Sequence, residues 1–201
     1  MVYFLSGRSV ESRSRVLDVR ATGDVDVVDT RPGGERDALR HYTAFARRGE
    51  WEVLGNGDHI VPIAEDLAAG VSVKRAVAKH TYEPDAPIFT PRIWIAASSA
   101  SPSSWWIGSI TRMSGESGRA RRLCQSVGAL QPGTGLVVTT YDSGPDKAQT
   151  SRTLVDVTVS AGTREELVQA AWDMLRPELR VALLGIVPGR PDLNPLIRTD
   201  R

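Results

Sequence analysis

The sequence predicts one α+β domain in which strands outnumber helices and sheet packs on sheet with helices outside. Short alternating or apolar runs recur along the chain, and helical signals are strong in only two stretches. No linker or internal repeat divides the 201 residues. Hydrophobic residues at 41% and charged residues at 24% supply both a core and a hydrated surface.

Residues 2–5 (VYFL) predict a short buried strand that ends at Ser6-Gly7. Residues 16–19 and 25–28 alternate as strands do, with a turn at Ala21-Thr22-Gly23-Asp24. Arg31-Pro32-Gly33-Gly34 reads as loop, and residues 36–47, carrying Tyr42, as either a short helix or a strand. Trp51–Leu54 predicts a strand, closed by the turn cluster Gly55-Asn56-Gly57-Asp58. Ile63, Leu67, Val71 and Val77 recur at helical spacing, which predicts a helix over 62–79 with Gly70 as its weak point.

Thr81–Ile95 (TYEPDAPIFTPRIWI) holds three prolines and no helical option, because proline pushes Glu83, Ala86 and Thr90 toward extended backbone. A strand follows over 92–97, then SSASPSS as a turn, and Trp105–Thr111 as the second arm of a hairpin. Gly135–Tyr141 reads as a buried strand, and residues 154–159 alternate. Thr163 and Glu166 form a capping box for a helix reaching Leu175 and stopped by Pro177. Arg180–Val187 is either a strand or a short helix, and the tail reads as irregular.

A net charge of +1 makes no demand for nucleic acid or an anionic membrane. Cys124 stands alone, which excludes an internal disulfide and argues against a cysteine-based zinc site. The first residues lack the basic and long apolar regions of a signal peptide, and no apolar run approaches the roughly 20 residues of a membrane span. The expectation is a cytoplasmic protein. Adjacent Trp105 and Trp106 should point to opposite faces of a strand, and one exposed ring would suit a homo-oligomer contact.

Four stretches can carry chemistry. Gly7-Arg8-Ser9 and Ser12-Arg13-Ser14-Arg15 combine hydroxyl donors with guanidinium forks, a set suited to phosphate, although a solvated arginine turn is the plainer reading. Asn56-Gly57-Asp58-His59 supplies turn geometry beside an acid and an imidazole. The proline segment presents Glu83 and Arg92, and Thr139-Thr140-Tyr141 ends a strand. Spacing for a metal site, a Walker loop or a dinucleotide fingerprint is lacking, so no cofactor is expected. His41 and His80 belong to no visible constellation.

Together GRSVESRSR, HYTAF, NGDH, YEPDAPIFTPRI and TTYDSG resemble the archaeal-type inosine monophosphate (IMP) cyclohydrolase family and its bacterial relatives, most specifically in YEPDAPIFTPRI. The resemblance implies a four-layer αββα sandwich like that of the N-terminal-nucleophile hydrolases; Met1-Val2 lacks their nucleophile. It implies dehydrative closure of a formamido-imidazole-carboxamide ribonucleotide to IMP, with a small-molecule substrate and no cofactor. By that match Arg13 (or Arg15), Tyr42, Glu83 and Arg92 belong to the active site, with proton transfer at Glu83 or Tyr42. Arg13 and Arg92 would hold phosphate or an oxyanion, with Arg8, Ser9, Arg15, Thr140 and Tyr141 as further substrate contacts. Asn56 and His59 would hold the base or ribose.

One departure favours an alternative. Ile60-Val61-Pro62 stands where the family commonly has Thr-Asp-Thr. A pocket changed there would fit a diverged paralogue that closes or hydrolyses a related nucleotide-like or amide substrate in specialised metabolism, such as nucleoside-antibiotic synthesis. A binding protein that kept the fold and lost turnover is the third reading, disfavoured by the retained Glu83 and Tyr42.

Overall fold

The structure, a computed structural model, describes residues 1–31, 39–113, 118–141, 154–190, 192 and 194–199, and of residues 102–104 the backbone alone. The elements run β1 (Val2–Ser6), α1 (Val10–Arg13), β2 (Arg15–Val19), β3 (Val25–Asp29), β4 (Tyr42–Arg48) and β5 (Trp51–Gly55). Then come α2 (Ile60–Ala68), α3 (Val73–Ala78), β6 (Arg92–Ser98), β7 (Ser101–Arg112) and β8 (Ala120–Val127). The rest are β9 (Thr134–Val138), β10 (Leu154–Thr158), α4 (Arg164–Met174), a 3-10 turn at Pro177–Leu179, β11 (Arg180–Gly185) and β12 (Leu196–Thr199).

The described strands form three antiparallel sheets. β2 to β8 make a seven-stranded meander in chain order, β1-β11-β12 a three-stranded sheet, and β9-β10 a separate ladder. Because neighbouring side chains on a strand point to opposite faces, Val53 and Leu54 enter different cores. One core packs Ala46, Val53, Trp94, Ala96 and Ile110 of the large sheet against Ile60, Ile63, Ala64 and Leu67 of α2 and Val73, Ala76 and Val77 of α3. On the other face Leu17, Val25, Val27, Phe45 and Leu54 meet Tyr3 and Leu5 of β1 and Ala182 and Leu184 of β11. A third cluster sets Val168, Ala171 and Trp172 of α4 on Leu183. Ala44 and Phe45, though adjacent, share a core because the β3–β4 register shifts between Val25 and Asp26.

Trp94 is fully buried, and its indole lies over Gly108 of the neighbouring strand. A Cβ at Gly108 would stand 2.1 Å from Leu123 O and 2.7 Å from Trp94 Cζ2, so only glycine fits between the neighbouring strand and this ring. Buried carboxylates in the sheet are paired. Asp24 accepts from Arg48 Nη1 and from the Arg47 N–H, and Glu52 from Arg47 opposite it and from the Gly189 N–H.

Several expectations need correction. The helix foreseen over 62–79 is two helices, broken where Gly70 adopts φ +82°. Gly135–Tyr141 is half-buried and its strand stops at Val138, since the ladder pairs it only with β10. Residues 120–127 carry no strand signal in the sequence; RRLCQSV lacks clean alternation because β8 is the last strand of its sheet, with Arg121 and Arg122 in solvent. Cys124 is half-buried there. The Ser-rich turn is shorter than expected, with β7 starting at Ser101, and the tail forms β12. Trp105 and Trp106 are both half-buried. The 36–47 segment resolves as strand from Tyr42, while Pro32-Gly33-Gly34, residues 36–38 and Asp142-Ser143-Gly144 lie outside the described residues. No described helix is long and apolar enough to cross a membrane.

Trp94 fills the largest single volume of its core. Trp94→Ala is expected to cost about 3–5 kcal/mol, read from urea unfolding midpoints.

Candidate active site

The loop before β6 is folded on itself by Asp85. Its carboxylate accepts from the Thr90 N–H at 2.6 Å and from the Thr90 hydroxyl, and the Glu83 N–H donates to Thr90 O at 3.0 Å. Tyr82 is buried, edge-on to Phe89 with centroids 5.5 Å apart, and Arg112 covers Phe89 at 4.0 Å. This packing places Glu83, 7% exposed, against Arg92, 8% exposed, at the first residue of β6.

Arg92 Nη2 donates to Glu83 Oε2 at 3.3 Å. Its Nε lies 3.2 Å from Oε1 but is not aimed for a hydrogen bond, so that contact is coulombic only. The remaining arm, Nη1, pairs with Asp58 Oδ1. Burial pushes the Glu83 carboxyl up to about 7. Arg92 opposes the rise, while the charges of Asp58 and Asp85 add to it.

The NGDH turn is anchored by backbone contacts. Asn56 Nδ2 donates to Pro91 O at 3.0 Å, and the Ile93 N–H donates to Asn56 Oδ1 at 2.6 Å. Gly57 has φ +124°, and a Cβ there would sit 2.4 Å from Glu83 Oε1 and 3.2 Å from His59 Nδ1. His59 is fully buried with Nε2 3.3 Å from Ile93 O. Burial, then the charges of Arg92 and His80, holds its pKa well below the usual value, so the ring is neutral. His80, which the sequence left unassigned, stands beside it with ring centroids 6.1 Å apart.

Tyr42 meets Tyr3 across the two sheets, with hydroxyl oxygens 2.8 Å apart. Burial raises both hydroxyl pKa values, and both groups feel the charges of Arg15 and Glu83. Arg15 itself donates to Ser12 O and Ser6 O at 2.8 and 2.9 Å. Arg8 stacks 4.2 Å over the Tyr141 ring, whose hydroxyl lies 3.0 Å from Thr90 Oγ1, so both attach to the loop that carries Glu83.

Thus Tyr42, Arg15, Asn56, His59, Glu83 and Arg92 converge, with Arg8 and Tyr141 at the loop's flank. Ser9 instead caps α1 in a reciprocal pair with Ser12, Arg13 Nη1 donates to Glu178 O at 3.4 Å, and Thr140 is half-buried beside Tyr141. Tyr3 carries no mark of a site residue in the sequence, and Asp58 is marked there only as the acid of its turn. Tyr3 looked like core because pairing across two sheets leaves no local pattern, whereas Asp58 stood inside a motif already singled out.

A carboxyl near pKa 7 beside a fixed cation and a phenol can take up and return a proton at neutral pH. Among the described residues no group of three His, Cys, Asp or Glu is placed to hold a metal. A depression of about 490 Å³ lined by Trp51, Leu67, Val71 and Trp106 lies at the opposite end of the large sheet. Among its described lining residues Glu50 is the one carboxylate. The family model described as IMP cyclohydrolase-like protein matches residues 1–190, taking in everything from β1 through β11. No curated protein matches the sequence.

Gly57 and Gly70 both have positive φ, but nothing lies within 4 Å of a Cβ at Gly70. Gly70→Ala is expected to cost about 1 kcal/mol and Gly57→Ala about 2–3 kcal/mol in urea unfolding, the difference reflecting the more strained backbone at Gly57 and the displacement of Glu83 and His59.

Proposed function

The chain belongs to the IMP cyclohydrolase-like family, and from that membership and the Glu83–Arg92 site we propose that it closes a formamido-imidazole-carboxamide ribonucleotide to IMP. The observation that carries the reading is Glu83, whose buried carboxyl is pushed up to about 7 beside Arg92 and the tyrosine pair. An amide nitrogen is a weak nucleophile, so its attack needs a base and a polarised formyl oxygen. Both reacting groups sit on one ring, and orientation supplies much of the rest.

In this reading the carboxamide nitrogen bonds to the formyl carbon while Glu83 takes one N–H proton. Tyr42 donates to the formyl oxygen as it becomes a hydroxyl. Glu83 returns its proton to that hydroxyl, which leaves as water. The former formamide nitrogen gives up its proton, completing the C=N bond and restoring the phenol.

Arg92 is engaged by Glu83 and Asp58, so it positions the base. The phosphate is assigned to Arg13 by the family match, and Arg13 would exchange its contact with Glu178 O for it, with Arg8 near the loop that carries Glu83. Asn56 and His59 are likewise engaged with backbone and brace the β5–β6 end instead of touching the ribose. Ile60 and Val61 belong to the core under α2 and Pro62 is exposed, so the departure from Thr-Asp-Thr is a change of helix packing. That weakens the case for a diverged substrate. The same reading takes the α2–α3 layer, the seven-stranded and three-stranded sheets and α4 as an αββα sandwich, and the protein as cytoplasmic and homo-oligomeric.

Purified protein is expected to generate purine absorbance from the formamido ribonucleotide well above the uncatalysed rate. Glu83→Gln should cut turnover by roughly two to four orders of magnitude with nucleotide affinity largely kept. Since the base acts deprotonated, kcat/KM should fall as pH drops below about 7, the Glu83 value. Binding without turnover would shift the reading to a related ring in specialised metabolism. Arg13→Ala should weaken binding of the ribonucleotide far more than of its dephosphorylated nucleoside; equal losses would remove the phosphate role.

A further inference from the structure

Arg92 carries one positive charge and faces two carboxylates. Nη2 and Nε face Glu83, and Nη1 faces Asp58. The two acids differ in solvation. The Glu83 side chain is 9% exposed and that of Asp58 58%. A hydrated carboxylate keeps its charge at little cost, and a buried one does not. With both ionised the trio has a net negative charge, and protonating the buried member relieves it.

We propose that Asp58 is a positioning residue that competes with Glu83 for the single guanidinium of Arg92 and thereby makes Glu83 the member of the trio that takes up and releases a proton. The proposal rests on the reading of Glu83 as the base. The geometry fits a deliberately incomplete Arg92–Glu83 pair. One of its two contacts is coulombic only, so Glu83 is held less firmly than in a bidentate fork.

The other groups around Glu83 do not substitute for Asp58. Asp85 also disfavours the Glu83 charge, but its oxygens are already engaged by Thr90. His59, across Gly57, is neutral and fully buried. The pKa of His80 is lowered by burial and by Arg92. Tyr3 and Tyr42 feel Glu83 but their pKa values are raised, which keeps them uncharged. Arg15 is not among the main charges acting on Glu83, and its guanidinium is tied to Ser6 O and Ser12 O. Among the described residues Asp58 is therefore the exposed carboxylate that shares Arg92 with the buried acid.

The test is a direct titration of the Glu83 side-chain carboxyl by ¹³C NMR, assigned by its loss in Glu83→Gln, in the wild type, Asp58→Asn and Asp58→Glu. With Asp58→Asn the midpoint should fall by about one pH unit. The acid limb of kcat/KM should move down with it, and the plateau should drop as the base weakens. Asp58→Glu should restore both. Asp58 is exposed, so the variants should fold, which circular dichroism checks. An unchanged midpoint in Asp58→Asn overturns the proposal. A midpoint that falls while the rate limb stays put upholds the competition for Arg92 and overturns Glu83 as the catalytic base.

Discussion

A guanidinium cannot be left uncompensated in a protein interior, and the candidate site is arranged around that constraint at Arg92. The strand that begins there buries the arginine, and compensation arrives from two directions: Glu83 from the proline-braced loop and Asp58 from the Asn-Gly turn. Desolvating such ions costs several kcal/mol each, so the compensation does not make the site a source of stability. The surrounding fold bears that cost. Its three cores bury apolar residues on both faces of the seven-stranded sheet and behind the three-stranded one.

The supports of the site act on backbone more than on side chains. Asn56 ties the turn after β5 to the start of β6, and His59 lies against the same carbonyl region. Asp85 closes the loop on Thr90, and Tyr141 reaches Thr90 from the end of β9's chain segment. Glu83 is therefore held at both flanks of its own loop while its carboxyl stays only partly satisfied. A carboxylate given a full bidentate partner would remain ionised and be a feeble base at neutral pH. Burial with an incomplete partner keeps it near the pH at which it can both accept and return a proton.

Most strands were legible because residues such as 25–28 and 51–54 carry their burial pattern locally. The helix after Thr163 was legible through its cap, and Thr163 does accept from the Glu166 N–H, while Glu166 reaches back to Gly162 rather than to the cap itself. β8 was not legible, since an edge strand exposed on much of its surface has no apolar alternation to read. Tyr3 was not legible as a site residue either. Its hydroxyl finds Tyr42 only because β1 packs across the face of β4.

The α+β class, the family and the residue types of the candidate site are readable from the chain alone. Those depend on short-range periodicity, turn chemistry and a long unusual motif, all of which are local in the chain. Which charges share Arg92, that Asn56 and His59 contact backbone, and that Ile60 belongs to the core emerge only once the chain is folded. Pairing, burial and desolvation depend on segments far apart in sequence meeting in space, and a carboxyl such as Glu83 takes its chemistry from those neighbours.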